Sequence, residues 1–158
     1  MSVKARVLIL FGSESDRATM EESSRILESF GVACRMEVAS AHRSPDHVRD
    51  LVRSAPAEGV QVFIAAAGMA NHLAGAVAAH TTLPVIGVPL GGSALSGVDS
   101  LYSTVQMPAG VPVATVAIGS AGAKNAAVLA VQILALADRD LAPKLEDLKK
   151  RLARGERL

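Results

Sequence analysis

Five short apolar runs alternate with helix-like segments along this chain, and this alternation constrains its fold more than any other feature. The runs are RVLILFG, ACRMEV, VQVFIAAAG, LPVIGVP and VPVATVAIG. Between them stand segments with helical periodicity, such as DRATMEESSRILESFG, or with a proline at a helix start, as in SPDHVRDLVRSA. Strands that alternate with helices form a parallel sheet covered on both faces, so the sequence predicts an α/β fold, a three-layer αβα sandwich.

The second run differs from the others because only one of its faces is apolar. Cys34, Met36 and Val38 alternate with Arg35 and Glu37, a pattern typical of a strand at the edge of a sheet. The first run is apolar throughout and is expected inside the sheet. Right-handed crossovers leave few topologies, and the flavodoxin-like strand order 2-1-3-4-5 fits this pattern best.

We expect a single domain over residues 1–158, with its core at 6–137 and a C-terminal amphipathic helix at about 138–154. A chain of this length can bury a full hydrophobic core. The final segment is dense in charges of both signs and carries leucines at helical spacing: Leu141, Leu145, Leu148 and Leu152. This pattern predicts a helix that docks one stripe on the domain and exposes its other face.

Charge is distributed unevenly along the chain. Between Gly59 and Ala137 the only charged residues are Asp99 and Lys124. Because a small domain cannot hide half its chain from water, we expect part of this stretch to meet another copy of the chain or a ligand, and a homo-oligomer is the favoured explanation. The net charge of +1 argues against nucleic acid as the main partner, since phosphate backbones require a basic face.

Three further features bear on where the protein works. No apolar stretch approaches the roughly 20 residues that a membrane helix needs. The opening apolar run is too short for a signal peptide. A single cysteine, Cys34, cannot form an internal disulfide and fits a reducing compartment. We therefore expect a soluble protein of the cytoplasm without a membrane partner.

The segments that follow the five predicted strands, here called corners one to five, have a composition suited to binding an anion. In a doubly wound sheet, ligands bind beyond the carboxyl ends of the strands. Small residues let backbone N–H groups approach a phosphate, and Arg43 can hold it through two donors. The sequence therefore predicts a site for a phosphorylated small molecule. The corners are GSESD (12–16), SAHR (40–43), GMANH (68–72), GVPLGGSALSG (87–97) and GSAGAKN (119–125).

Some of these polar residues have a structural explanation as well. Ser13, Ser15 or Asp16 can cap the first helix, and capping is the favoured interpretation of GSESD taken alone. One side chain can still cap while its neighbours bind a ligand. His47 is expected on the surface of a helix of mixed polarity. His80 ends a helix, where a positive ring would complement the helix dipole.

His72 opens a helix, which is an unfavourable place for a cation and leaves a neutral, ligand-facing role open. The four histidines lack the spacing of zinc-binding motifs, so we expect no metal site. Neither a Walker A motif nor GxGxxG occurs at corner one, which removes support for nucleoside triphosphates and dinucleotides. Cys34 falls inside a strand and is expected to be buried and inert.

The ordered set GSESD, SAHR, HLAG, LPVIGVP, ALSGVDSLYSTVQMPAGVPVAT and KNAA resembles the N5-carboxyaminoimidazole ribonucleotide mutases of de novo purine synthesis. The similarity covers roughly residues 6–137. It implies an αβα sandwich assembled as an octamer. It also implies an isomerase that converts N5-carboxyaminoimidazole ribonucleotide to 4-carboxy-5-aminoimidazole ribonucleotide, with no metal, ATP or organic cofactor.

The resemblance also implies residue roles. His42 in SAHR matches the family's general acid and base, and His72 matches the histidine of its third corner. The residues that it places at the ribonucleotide substrate are Ser13, Asp16, Ser40, Arg43, Gly68, His72 and Leu73.

Two departures from the family pattern leave an alternative open. Met69 and Asn71 replace smaller residues, and the asparagine is similar to that of a related class which carboxylates aminoimidazole ribonucleotide directly with carbon dioxide. That class typically carries lysine after the corner histidine and lacks ALSGVDSL. Arg43, His72 and that segment therefore favour the mutase.

A non-enzymatic flavodoxin-like binding module is the other alternative. Flavin binding is disfavoured because three phenylalanines, one tyrosine and no tryptophan leave little to stack on the flavin ring. A receiver domain is disfavoured because corner one lacks the paired acids that would hold Mg²⁺.

Overall fold

A computed structural model describes residues 4–158 of the chain. Its five strands form one parallel sheet in the order β2-β1-β3-β4-β5, as predicted. The strands are β1 (Val7–Phe11), β2 (Cys34–Val38), β3 (Val62–Ala67), β4 (Val85–Pro89) and β5 (Ala114–Thr115). The helices are α1 (Arg17–Ser29), α2 (Pro45–Glu58), α3 (His72–His80), α4 (Val98–Val105), α5 (Ser120–Ala135) and α6 (Ala142–Ala153).

Strand β1 is buried on both faces and divides the core into two layers. Val7, Ile9 and Phe11 point to one face, where they pack with apolar side chains of α1 and α5. Leu8 and Leu10 point to the other face, toward α2 and α3. Because successive side chains of a strand alternate between faces, an unbroken apolar run requires helices on both sides. The predicted three-layer sandwich is confirmed.

Strand β2 lies at the sheet edge, as its alternating pattern predicted. Cys34, Met36 and Val38 pack against the apolar layer next to α1. Arg35 lies on the opposite, solvent-facing side of the strand, where its Nη1 is 2.6 Å from Oε2 of Glu58. Cys34 is half-buried rather than fully buried, because an edge strand is covered on one side only. Burial still raises the pKa of the Cys34 thiol.

Strand β5 is much shorter than the predicted run over residues 111–119. Only Ala114 and Thr115 pair with β4. The chain then follows β4 through two separate backbone bonds, from Val116 N to Gly87 O (3.1 Å) and from Gly119 N to Pro89 O (2.9 Å). Pro89 has no N–H to donate, so a regular ladder cannot continue past it.

The C-terminal helix begins later than predicted. Arg139–Leu141 form a 3-10 turn, where Asp138 Oδ1 accepts a hydrogen bond from Asp140 N at 3.2 Å, and α6 follows from Ala142. Of the four spaced leucines, Leu141 and Leu148 are buried, Leu145 packs against the core and Leu152 is partly exposed. No helix within residues 4–158 is long and apolar enough to cross a membrane.

Helix α4 approaches β4 closely because residue 87 is a glycine. A Cβ added to Gly87 would lie 2.4 Å from Cγ2 of Thr104 and 2.7 Å from Cγ1 of Val113. Both distances are shorter than van der Waals contact. Thr104 is fully buried at this point, so its packing on the sheet depends on the missing side chain.

We predict that Gly87→Ala lowers the free energy of unfolding by about 1–3 kcal/mol, the range typical of overpacking. Gly91→Ala is the matched control, because a Cβ there meets no atom within 4 Å. Urea unfolding of both variants, followed by circular dichroism, provides the measurement. Equal midpoints for the two variants would contradict this account of α4 packing.

Candidate functional site

A cleft of about 550 Å³ lies at the carboxyl end of the sheet. It is centred where β1 pairs with β2 on one side and with β3 on the other, so that the corners after β1 and β3 diverge. Such a switch point is where doubly wound sheets bind their ligands. The cleft is lined by residues 12, 13, 15 and 16 of corner one, 40–43 of corner two, 67–70, 72 and 73 around corner three, and 91–92 of corner four.

His42 and the seven residues that the resemblance placed at the substrate all line this cleft. Leu73 is 2% exposed, so it contributes to an apolar wall. A Cβ on Gly68 would lie 3.1 Å from Gly91 O, which shows how closely corners three and four approach. The eight residues are Ser13, Asp16, Ser40, His42, Arg43, Gly68, His72 and Leu73.

Corner five does not line the cleft, contrary to the expectation of a rim built from all five corners. Strand β5 is the outermost strand on its side of the sheet, beyond β4. The corner that follows it is therefore remote from the gap between β1 and β3. Helix α5 then packs against α1 on one face of the sheet.

In corner one, Ser13 makes a capping contact and Asp16 does not, while both residues line the cleft. Ser13 caps the 3-10 turn Glu14–Asp16, where its Oγ accepts bonds from Ser15 N (3.4 Å) and Ser15 Oγ (2.9 Å). The side chain of Asp16 makes no capping bond to α1 and lines the cleft. Burial raises the pKa of the Asp16 carboxyl, against a smaller lowering by a backbone hydrogen bond from Ser13.

Arg43 ties corner two to corner one. Its Nη2 donates to Gly12 O at 3.0 Å, and its Nε donates to Ser40 Oγ at 3.3 Å. Ser40 Oγ also accepts from Arg43 N at 3.2 Å. Because a guanidinium carries five N–H donors, further donors remain for a ligand. The arrangement places a positive charge at the cleft wall next to the small residues of corner one.

His42 and His72 meet across the cleft from two different corners. Nε2 of His42 lies within hydrogen-bond distance of Nδ1 of His72. The ring centroids are 4.4 Å apart, and the ring planes are inclined by 62°. A bond between two ring nitrogens needs one donor and one acceptor, so at least one ring is neutral while the contact holds. His72 is the first residue of α3, where the helix dipole disfavours a cation, so it is the better acceptor.

The other two histidines lie outside the cleft. His47 is exposed on α2, and His80 is the exposed last residue of α3. Both placements match the sequence analysis.

The burial of Asn71 could not be anticipated from its position in GMANH. It is 1% exposed and does not line the cleft, although it stands directly before His72. Its partners come from α4, about thirty residues further along the chain. Only the fold reveals that contact.

The fold and the cleft define a flavodoxin-like α/β protein with a candidate ligand site at the switch point of its sheet. A family model described as AIR carboxylase matches residues 6–155. The chain therefore belongs to the AIR carboxylase family.

Curated relatives agree with this assignment. The chain is 56% identical over 146 residues to the N5-carboxyaminoimidazole ribonucleotide mutase of Escherichia coli K12, covering 92% of this chain and 86% of that protein. It is 52% identical over 142 residues to the mutase of the same name from Bacillus subtilis 168, covering 90% and 88%. Among solved structures, Treponema denticola PurE superposes with a TM-score of 0.86 at 31% identity, covering 94% of this chain and 92% of that one.

Proposed function

We propose that the cleft converts N5-carboxyaminoimidazole ribonucleotide to 4-carboxy-5-aminoimidazole ribonucleotide in purine biosynthesis. Relatives that are more than half identical over nearly the whole chain are named for this mutase activity. The observation that carries the mechanism is the contact between His42 and His72 in a cleft that Arg43 also lines. We assign anion binding to Arg43 and proton transfer to the histidine pair.

The substrate's phosphate is assigned to Arg43 and to the backbone N–H groups of corner one. Arg43 already spans corners one and two, so a phosphate between them would gain a charged partner without moving the guanidinium far. Ser13 and Ser40 add hydroxyl groups to this wall. Asp16, with its carboxyl facing the same cleft, is assigned to the ribose hydroxyls.

His42 is assigned the proton transfers. As the bond between the exocyclic nitrogen and its carboxylate breaks, carbon dioxide leaves, and the electron pair stays on nitrogen, which takes a proton from His42. Carbon 4 of the aminoimidazole then attacks the carbon dioxide. Neutral His42 removes the proton from carbon 4, which restores the aromatic ring and recharges the histidine. An imidazole suits both steps because it gives and takes protons near neutral pH.

His72 supports a mobile proton on His42. As hydrogen-bond acceptor, its Nδ1 orients the His42 ring before the first step. The wall formed by Ala67, Gly68 and Leu73 is apolar. Such a wall excludes water and keeps the freed carbon dioxide next to carbon 4.

We predict that His42→Asn chiefly affects kcat, whereas Arg43→Ala chiefly affects KM. Loss of the imidazole should lower kcat by about 10²–10⁴-fold while substrate still binds, because only the proton carrier is lost. Loss of the guanidinium should chiefly raise KM, because the phosphate would lose its charged partner. Steady-state kinetics, with product formation followed by ultraviolet absorbance, measure both.

Each variant serves as the other's control for folding, since both lie at corner two. A His42→Asn protein with near-normal kcat would remove His42 from the role of proton carrier. An Arg43→Ala protein with an unchanged KM would contradict the phosphate contact.

We further propose that the chain assembles as a homo-oligomer, with the octamer implied by the family resemblance, through the outer face of α4. Val98, Tyr102 and Val105 lie on one side of this helix and are 43%, 63% and 50% exposed, and Leu95 just before it is 63% exposed. A second copy is the favoured partner, because residues 60–136 carry only two charges and suit an equally uncharged surface. We also propose a cytoplasmic location, which the single unpaired cysteine supports.

We predict that Tyr102→Glu shifts the protein to smaller species, because a charge would be placed in the apolar interface. Light scattering coupled to gel filtration gives the mass of wild type and variant. Glu146→Gln on the outer side of α6 is the control for a surface change. An unchanged mass for Tyr102→Glu would contradict the use of this face.

A further inference from the structure

Asn71 is a buried polar residue held from two sides. Its backbone N donates to Ser103 Oγ at 2.8 Å. Its side-chain Nδ2 donates to Thr104 Oγ1 at 2.9 Å and approaches Val88 O at 3.5 Å. These contacts join corner three to α4 and to the end of β4.

The hydrogen bonds of Thr104 fix the direction of the Asn71 amide. Thr104 Oγ1 donates its own proton to Ser100 O at 2.6 Å, so it can only accept from Asn71. Val88 O is also an acceptor. The NH₂ group must therefore face both, which leaves Asn71 Oδ1 buried without a partner. An unpartnered buried oxygen destabilises the folded state, so stability alone does not explain an amide at this position.

The inner side of α4 forms a polar bracket, defined here as Ser100, Ser103 and Thr104. Ser100 Oγ donates to Ala67 O at 2.7 Å and accepts from Leu90 N at 3.2 Å. It thereby joins the ends of β3 and β4. Ser103 and Thr104 hold Asn71, so the bracket fixes the beginning and the end of corner three.

The backbone at Asn71 connects this bracket to His72. Asn71 has φ −75° and ψ 75°, and His72 N donates to Ala70 O at 2.8 Å, which together define an inverse γ-turn. Helix α3 begins at His72, and Asn71 gives it no side-chain cap. A shift of Asn71 therefore changes the direction from which the His72 ring enters the cleft.

We propose that Asn71, held by Thr104, is a positioning residue that keeps the His72 ring against His42. The kinetic part of this inference rests on the proposed function. The proposed phosphate contacts at Ser13, Ser40 and Arg43 belong to corners one and two, whereas the bracket binds the ends of corner three. Loosening Asn71 should therefore lower kcat by a larger factor than it raises KM.

Thr104→Val and Thr104→Ser form the matched test. Valine keeps the shape that packs over Gly87 but loses the hydroxyl group, whereas serine keeps the hydroxyl group and loses the methyl group. We expect Thr104→Val to lower kcat by about tenfold to a hundredfold, the cost of misplacing a reacting group by about 1 Å, and Thr104→Ser to retain most of it. The reverse order would overturn the proposal, because packing and not the hydrogen bond would then position His72.

A double-mutant cycle shows whether the bracket acts through His72. In a His72→Ala background, Thr104→Val should lower kcat no further, because the ring that it positions is gone. An undiminished additional loss would overturn the proposal.

Side-chain ¹H–¹⁵N spectra of the histidines provide a readout that needs no turnover. The ring signals of His42 and His72 should move in Thr104→Val across the pH range and stay in place in Thr104→Ser, even if the substrate assigned above were wrong. Signals that are unchanged in Thr104→Val would overturn the positioning role while leaving the proposed reaction intact.

Discussion

Strand β1 hydrogen-bonds to β2 on one side and to β3 on the other, and this double pairing determines where everything else in the molecule can lie. The chain leaves β1 toward one face of the sheet and leaves β3 toward the other. A gap therefore opens between corners one and three at the carboxyl ends of the strands. The apolar run of β1 is buried along its whole length, which suits an inner strand with helices on both faces of the sheet.

The gap brings together groups with different chemical tasks from distant parts of the sequence. Corners one and two contribute Arg43 and small hydroxyl residues on one wall. Corner three contributes His72, which meets His42 of corner two. The inner side of helix α4 holds corner three, which carries His72, and its outer side carries exposed apolar residues. A single short helix thus contacts the proposed proton site and the proposed subunit interface.

The sheet order and the composition of the cleft could be predicted because they depend on local patterns. The alternation in β2 indicates an edge strand, and glycine and serine after each strand indicate corners near a ligand. The length of β5 could not be predicted, because it depends on Pro89 of the neighbouring strand. The distance of corner five from the cleft follows from the edge position of β5, which the predicted strand order already contained. It was missed because corner five shares the glycine and serine composition of the other corners.

Contacts between residues far apart in sequence account for the rest. His42 and His72 are thirty residues apart, and neither periodicity nor spacing indicates that their rings touch. Asn71 could be recognised as a departure from the family pattern, but its bond to Thr104 depends on how closely Gly87 lets α4 approach the sheet. Such pairings are set by packing and not by local sequence.

The identity of the carboxyl donor distinguishes a mutase from a direct carboxylase. The purified protein would be given either N5-carboxyaminoimidazole ribonucleotide, or aminoimidazole ribonucleotide with bicarbonate, and formation of 4-carboxy-5-aminoimidazole ribonucleotide would be followed by ultraviolet absorbance. We expect rapid product formation from the N5-carboxylated substrate and little from the mixture. Efficient turnover of the mixture, with none of the N5-carboxylated compound, would contradict this expectation and identify a direct carboxylase.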